Sequence, residues 1–191
     1  MNPVNPVKAP LFVGKVRNVS YNARMAQANE IETLKIKLQA ERVKLLDACA
    51  ALNDDRDSGA DEWSVQDVLA HVANAEQLNV KFARVMLEQT HPEQIEAVAA
   101  DFPDYEGVFD LDRFNAYTRE KLRAQTFPQV MENLTRTREE TLAWIETLTE
   151  EQLERGGQHA AWGELTVRGI LKILMLHDKA HAQELKRKSK A

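Results

Sequence analysis

Apolar residues recur at helical spacing along most of the chain. Ile31, Leu34, Leu38, Leu45, Cys49 and Leu52 form one stripe with Glu and Lys opposite, predicting a first helix from about Ala28 to Leu52. Ser64 is a good N-cap with Asp67 three residues on. Val68, His71, Ala75, Leu78, Phe82 and Val85 then carry a second helix to about Gln89. Trp63, just ahead of the cap, can fold back on the first turn as a hydrophobic staple. A third, shorter helix starts near Asp110 with Leu111, Phe114, Tyr117, Thr118 and Leu122. Thr126-Phe127-Pro128 breaks it, and Pro128 suits the first turn of a fourth helix carrying Val130, Leu134, Thr141, Ile145 and Leu148, with Trp144 beside the stripe. Leu148 to Leu153 reads as a stop and a short capped turn, and Gly156-Gly157 opens a loop containing His159 and Trp162. Thr166 caps the last helix, whose stripe is Val167, Ile170, Leu171, Leu174, His177, His181 and Leu185, ending in the basic run Lys186–Lys190. No stretch reads convincingly as a strand. The pattern is all-α, a four-helix bundle with one long crossover connection.

That crossover follows Gln89. It holds Glu93, Glu96, Asp101, Asp104, Glu106 and Asp110 and no Lys or Arg. Pro92, Pro103 and Gly107 predict a connection with a short helical turn at 94–100. It reads either as the lining of a functional mouth or as a solvated crossover, with His91 at its surface. Residues 1–24 differ from the rest. They hold Pro3, Pro6, Pro10, Lys8, Lys15, Arg17 and Arg24, and the first acid of the chain is Glu30. They read as a disordered, flexible N-terminal extension without a catalytic role, or as sequence ahead of a start at Met25, with the bundle domain spanning 25–191.

Composition narrows the function. The chain has 191 residues, 43% hydrophobic and 29% charged, with seven Gly and six Pro, which suits one domain of long helices with a real core. A net charge of −5 predicts no nucleic-acid partner. No apolar run reaches the roughly 20 residues that span a bilayer, so no membrane partner is expected. The lone Cys49 excludes an intramolecular disulfide and fits the cytoplasm. On its apolar stripe it reads as a small buried hydrophobe rather than a reactive thiol.

The candidate chemistry lies in the histidines. His177 and His181, four residues apart, share a helical face with the apolar stripe, and His71 lies on the inward face of the second helix. Inward imidazoles need a hydrogen-bond partner or a metal. Three together favour a three-nitrogen metal site with positions left for water or substrate. Zinc, nickel or ferrous iron suits such ligands. His177-Asp178 lacks the Glu of an H-E-x-x-H peptidase, and no phosphate loop or nucleophile elbow is present. His159 reads as a rim or supporting group, or simply as a structural histidine. Asp178 and Glu76 adjoin the ligand faces without sharing them, and read as supports of the ligands or as solvated rim residues.

Two stretches also carry a family likeness. Glu62-Trp63-Ser64-Val65-Gln66-Asp67-Val68-Leu69-Ala70-His71-Val72 resembles the entry to the second helix of DinB/YfiT-like proteins. Gly163-Glu164-Leu165-Thr166-Val167-Arg168-Gly169-Ile170-Leu171, with His177-Asp178-Lys179-Ala180-His181, resembles their last helix and terminal H-(D/E)-x-x-H. The likeness runs from about Asn29 to Lys186. It implies a DinB/YfiT-type up-down-down-up bundle with His71, His177 and His181 holding a divalent metal, zinc or nickel ahead of iron, and a homodimer. It also implies metal-dependent hydrolases, or transferases that use a low-molecular-weight thiol (mycothiol, bacillithiol or glutathione) on a small-molecule substrate. The alternative reading is a non-catalytic stress-response or ligand-binding bundle whose metal is structural or absent. The extension at 1–24 and the lack of an appended second domain leave the subfamily open.

Overall fold

The computed structural model describes residues 13–52, 63–88, 110–159 and 161–189, with side chains from Glu30 onward. Among the described residues six helices and one hairpin follow in order: α1 (Val13–Ala50), α2 (Val65–Glu88), α3 (Leu111–Leu122), α4 (Phe127–Glu146), α5 (Glu150–Leu153), β1 (Gly156–His159), β2 (Gly163–Thr166) and α6 (Val167–Lys188). The starts are set by local chemistry. The Asp67 N–H donates to Ser64 Oγ (3.0 Å) while the Ser64 N–H donates to Asp67 Oδ2 (3.1 Å), a reciprocal cap that fixes where α2 begins. Asp110 accepts from the Arg113 N–H at the head of α3, and Thr166 Oγ1 accepts from the Gly169 N–H at the head of α6. Thr149 and Gln152 exchange the same kind of bonds around the one-turn α5.

Buried side chains gather in two clusters. One joins Leu34 and Leu38 of α1, Phe82 and Met86 of α2, Ile145 of α4, and Val167, Ile170 and Leu174 of α6. The other joins Leu45 and Ala48 of α1, Val68 and Leu69 of α2, Val130 and Leu134 of α4, and Ala182 and Leu185 of α6. The first takes the earlier core residues of α1 and α6 and the later ones of α2 and α4; the second takes the reverse. Thus α1 and α6 run one way and α2 and α4 the other, in up-down-down-up order. The long connection between the parallel α2 and α4 returns the chain to the end where α2 began.

Three features depart from the sequence-based expectation. The α1 backbone is helical from Val13, well ahead of Ala28. The helix thus reaches into the stretch set apart as an extension, of which residues 1–12 lie outside the described residues. The Gly156-Gly157 stretch is a strand rather than a loop. β1 and β2 pair antiparallel, with Gly156 opposite Thr166 and His159 opposite Gly163. Four-residue strands beginning in glycine carry too little alternation to be read from pattern. Gly163 turns the hairpin with φ +72°, and a Cβ at Gly157 would lie 2.6 Å from Met86 Cγ, so both need glycine, one for its backbone angle and one for close packing on α2. Finally, the two clusters are separated by a charged layer, Arg42, Glu76, Arg138 and Asp178, all nearly inaccessible to solvent. The turn expected at 94–100 and His91 lie outside the described residues.

Candidate metal centre

His71 sits two turns into α2, and His177 and His181 lie on one face of α6. The antiparallel packing of these two helices brings the three rings together. His71 Nε2 is 3.0 Å from His177 Nε2, and His181 Nε2 is 3.2 Å from the same atom. The ring centroids are 4.6–5.3 Å apart and the rings cross edge to face. His71 is buried, while His177 and His181 are half-buried, so one side of the cluster opens towards solvent.

Hydrogen bonding alone accounts poorly for this geometry. A neutral imidazole nitrogen has either one proton or one in-plane lone pair. His177 Nε2 faces two other Nε2 atoms at bonding distance and can satisfy only one of them well. The other contact sets like groups against each other. A cation held by His71, His177 and His181 would turn opposed lone pairs into ligands. Imidazole–metal bonds of about 2.0–2.1 Å place neighbouring ligand nitrogens about 3.0–3.4 Å apart, which matches the two separations from His177; the three ligand atoms all lie within 4.8 Å of one another.

Electrostatics and local packing favour the same form of the rings. Burial, with the nearby His181, lowers the His71 pKa to about 3. Burial, with His71, His181 and Arg42, lowers that of His177 to about 2. Both are therefore neutral at physiological pH, the form that binds metal. Glu184 Oε2 lies 3.0 Å from His181 Nδ1, which fixes the proton on Nδ1 and aims the Nε2 lone pair inward. Trp63 meets the edge of His71 with centroids 4.8 Å apart, and its carbonyl accepts from Lys188 Nζ at the end of α6. The anticipated staple thus packs on the His71 ring. His71 Nδ1 is buried and has no partner among the described residues.

His159 does not join the cluster. It is buried against Phe82, takes the Ala161 N–H on Nδ1, and donates from Nε2 to Asn79 Oδ1. Burial lowers its pKa to about 4, and its role is to pin the hairpin to α2. Cys49 packs beside the second core cluster with its thiol pushed up to about 11 by burial, as a small hydrophobe would sit. Glu76 and Asp178 are not rim residues: they are 2% and 1% exposed and paired with Arg42 and Arg138. Those two arginines were missed, although the sequence held a signal. The α1 stripe jumps from Leu38 to Leu45 and the α4 stripe from Leu134 to Thr141, and the position that each jump skips is an arginine. Glu184, one turn beyond His181, was missed as well.

A family model described as the DinB superfamily matches residues 37–185. Among solved structures, the chain is similar to YfiT from Bacillus subtilis, described as "a probable metal-dependent hydrolase with an unusual four-helix bundle topology". Identity is 18% and the TM-score 0.58, over 84% of this chain and 87% of that one. No curated protein matches the sequence.

Proposed function

We propose that this chain, which belongs to the DinB superfamily, is a metal-dependent enzyme in which His71, His177 and His181 hold a divalent ion that activates water or a low-molecular-weight thiol against a small electrophile. The observation that carries this reading is the gathering of three imidazole nitrogens from two helices within 4.8 Å of one another. A divalent ion held there supplies Lewis acidity, lowering the pKa of a water or thiol beside it. The chain's own residues set the conditions. Three neutral imidazoles from His71, His177 and His181 would leave a divalent ion's charge uncompensated, so the site would attract anionic groups. His177 and His181 are partly exposed, which gives small molecules access from one side. Glu184 bonds the His181 ring and Trp63 packs on the His71 ring, which restricts how far two of the three imidazoles can turn. YfiT's description as "a probable metal-dependent hydrolase" supports the hydrolytic variant. The thiol-transfer variant shares the same centre and differs only in the nucleophile. Among the described residues no helix is long and apolar enough to cross a membrane.

Elemental analysis of protein purified without chelator tests the site. Close to one divalent ion per chain is expected, with little in His71→Ala and His177→Ala. Equal metal in all three proteins would sink the assignment. With the site established, a screen of thiol-dependent and hydrolytic substrates separates the two variants, and turnover that survives removal of the ion would refute both.

A further inference from the structure

Between the two apolar clusters lies a closed set of four charges, with one member from each long helix. Arg42 comes from α1, Glu76 from α2, Arg138 from α4 and Asp178 from α6, and they are 5%, 2%, 3% and 1% exposed. Arg42 forks onto Asp178, with Nε to Oδ2 at 3.0 Å and Nη2 to Oδ1 at 3.1 Å, and its Nη2 also reaches Glu76 Oε2 at 2.7 Å. Arg138 forks onto Glu76, with Nε to Oε1 and Nη2 to Oε2 both at 2.9 Å, and its Nη2 also reaches Asp178 Oδ2 at 2.9 Å. Each arginine further donates to a backbone carbonyl of the other's helix: Arg138 to Leu38 O at 2.7 Å and Arg42 to Leu134 O at 3.4 Å. The two positive and two negative charges cancel.

The distribution of the members is informative. Both acids lie on the helices that carry the histidine cluster: Asp178 is the neighbour of His177, and Glu76 is five residues past His71. Both arginines lie on the helices that carry none of it. We infer that Arg42, Glu76, Arg138 and Asp178 form a positioning frame that locks α2 and α6 at the one rotation and height where His71 meets His177 and His181.

Stability alone does not explain such a set, because well-packed apolar residues in place of a buried ion network are often neutral or stabilising. Apolar packing, however, tolerates small slides and rotations of one helix on another. A planar guanidinium that forks one carboxylate and touches a second does not. A slide of α6 by a single turn, about 5.4 Å, would break all three bonds to Asp178. The same slide would carry His177 and His181 out of reach of His71. The ligand geometry and the frame are therefore satisfied in the same register.

The inference rests on the metal reading of the histidine cluster, and the test separates the two. The variants are Arg42→Lys with Arg138→Lys, which keep the charges and lose the forks, and the apolar quadruple Arg42→Met/Glu76→Leu/Arg138→Met/Asp178→Leu. Melting and far-UV circular dichroism establish folding. Zinc affinity is read by competition with a chromophoric chelator, and geometry by the visible spectrum of the cobalt(II) form. Folded variants are expected to bind zinc about 10–100-fold more weakly, as for other groups that orient metal ligands, with an altered cobalt spectrum. Leu153→Ala in the distant cluster serves as a control that lowers melting without changing affinity. Wild-type affinity and an unchanged cobalt spectrum in a folded lysine or apolar variant would overturn the frame. If the wild-type protein takes up no ion, the metal reading fails by itself. The frame is then judged on the metal-free protein, where the His71–His177 ring-to-ring NMR contact must weaken in the lysine variant, and its persistence overturns the inference.

Discussion

Neutralising Glu76 is the sharpest perturbation of the buried charge layer. Its carboxylate accepts three guanidinium hydrogen bonds, one from Arg42 at 2.7 Å and two from Arg138 at 2.9 Å, and is almost wholly buried. Glu76→Gln keeps the shape and removes the charge, leaving two buried guanidinium groups facing Asp178 alone. Breaking a buried pair in this way costs about 3–5 kcal/mol, because a charge is left without compensation. For a chain of this size that corresponds to a melting decrease on the order of 10 °C. Adding Arg138→Met removes one positive charge, restores neutrality, and leaves the Arg42–Asp178 fork intact. The double variant is expected to return to within about 1 kcal/mol of wild type. Urea unfolding followed by circular dichroism, run as a full double-mutant cycle, measures the coupling directly. The reasoning is refuted if Glu76→Gln lies within about 1 kcal/mol of wild type, or if the two substitutions add without compensating.

Acid should destabilise the metal-free protein in a defined window. The folded-state pKa values of His71 and His177 are lowered to about 3 and about 2, so between those values and the ordinary 6.5 the unfolded chain binds more protons than the folded one. Stability therefore falls as pH drops below about 6.5, by up to about 1.4 kcal/mol per pH unit for each histidine. His177→Gln should flatten that slope in urea midpoints measured between pH 4.5 and 6.5, and an unchanged slope counts against the buried neutral pair. His159→Ala should leave metal stoichiometry unchanged while costing about 1–3 kcal/mol, because Asn79 loses its buried partner; loss of metal in this variant would place His159 at the centre after all. The Cys49 thiol, pushed up to about 11, should react slowly with a thiol reagent at pH 8 in the folded protein and fast in urea, and rapid labelling of the native state would contradict its burial.

The helices were legible because their signals are local. Ser64, Thr126, Thr149 and Thr166 mark helix starts through bonds made within three residues, and the apolar stripes name the faces that meet. The three histidines were legible for the same reason, since each lies on such a stripe. What could not be read was long-range. Arg42 and Arg138 look like surface residues, because a lone charged side chain is rarely buried; their burial depends on Glu76 and Asp178 arriving from two other helices. The hairpin depends on Met86 and Asn79 of α2 receiving Gly157 and His159, contacts that no window of the sequence contains. The start of α1 was placed too late because the apolar stripe becomes regular only at Ile31.

The most direct test of the central claim is X-ray absorption at the metal edge of the zinc-loaded protein. The account predicts three imidazole nitrogens at about 2.0–2.1 Å, completed by light atoms exchangeable with solvent or added thiol, and a ligand count that falls by one in His71→Ala. A spectrum that shows a closed set of four protein ligands, or one that is the same in wild type and His71→Ala, would contradict it.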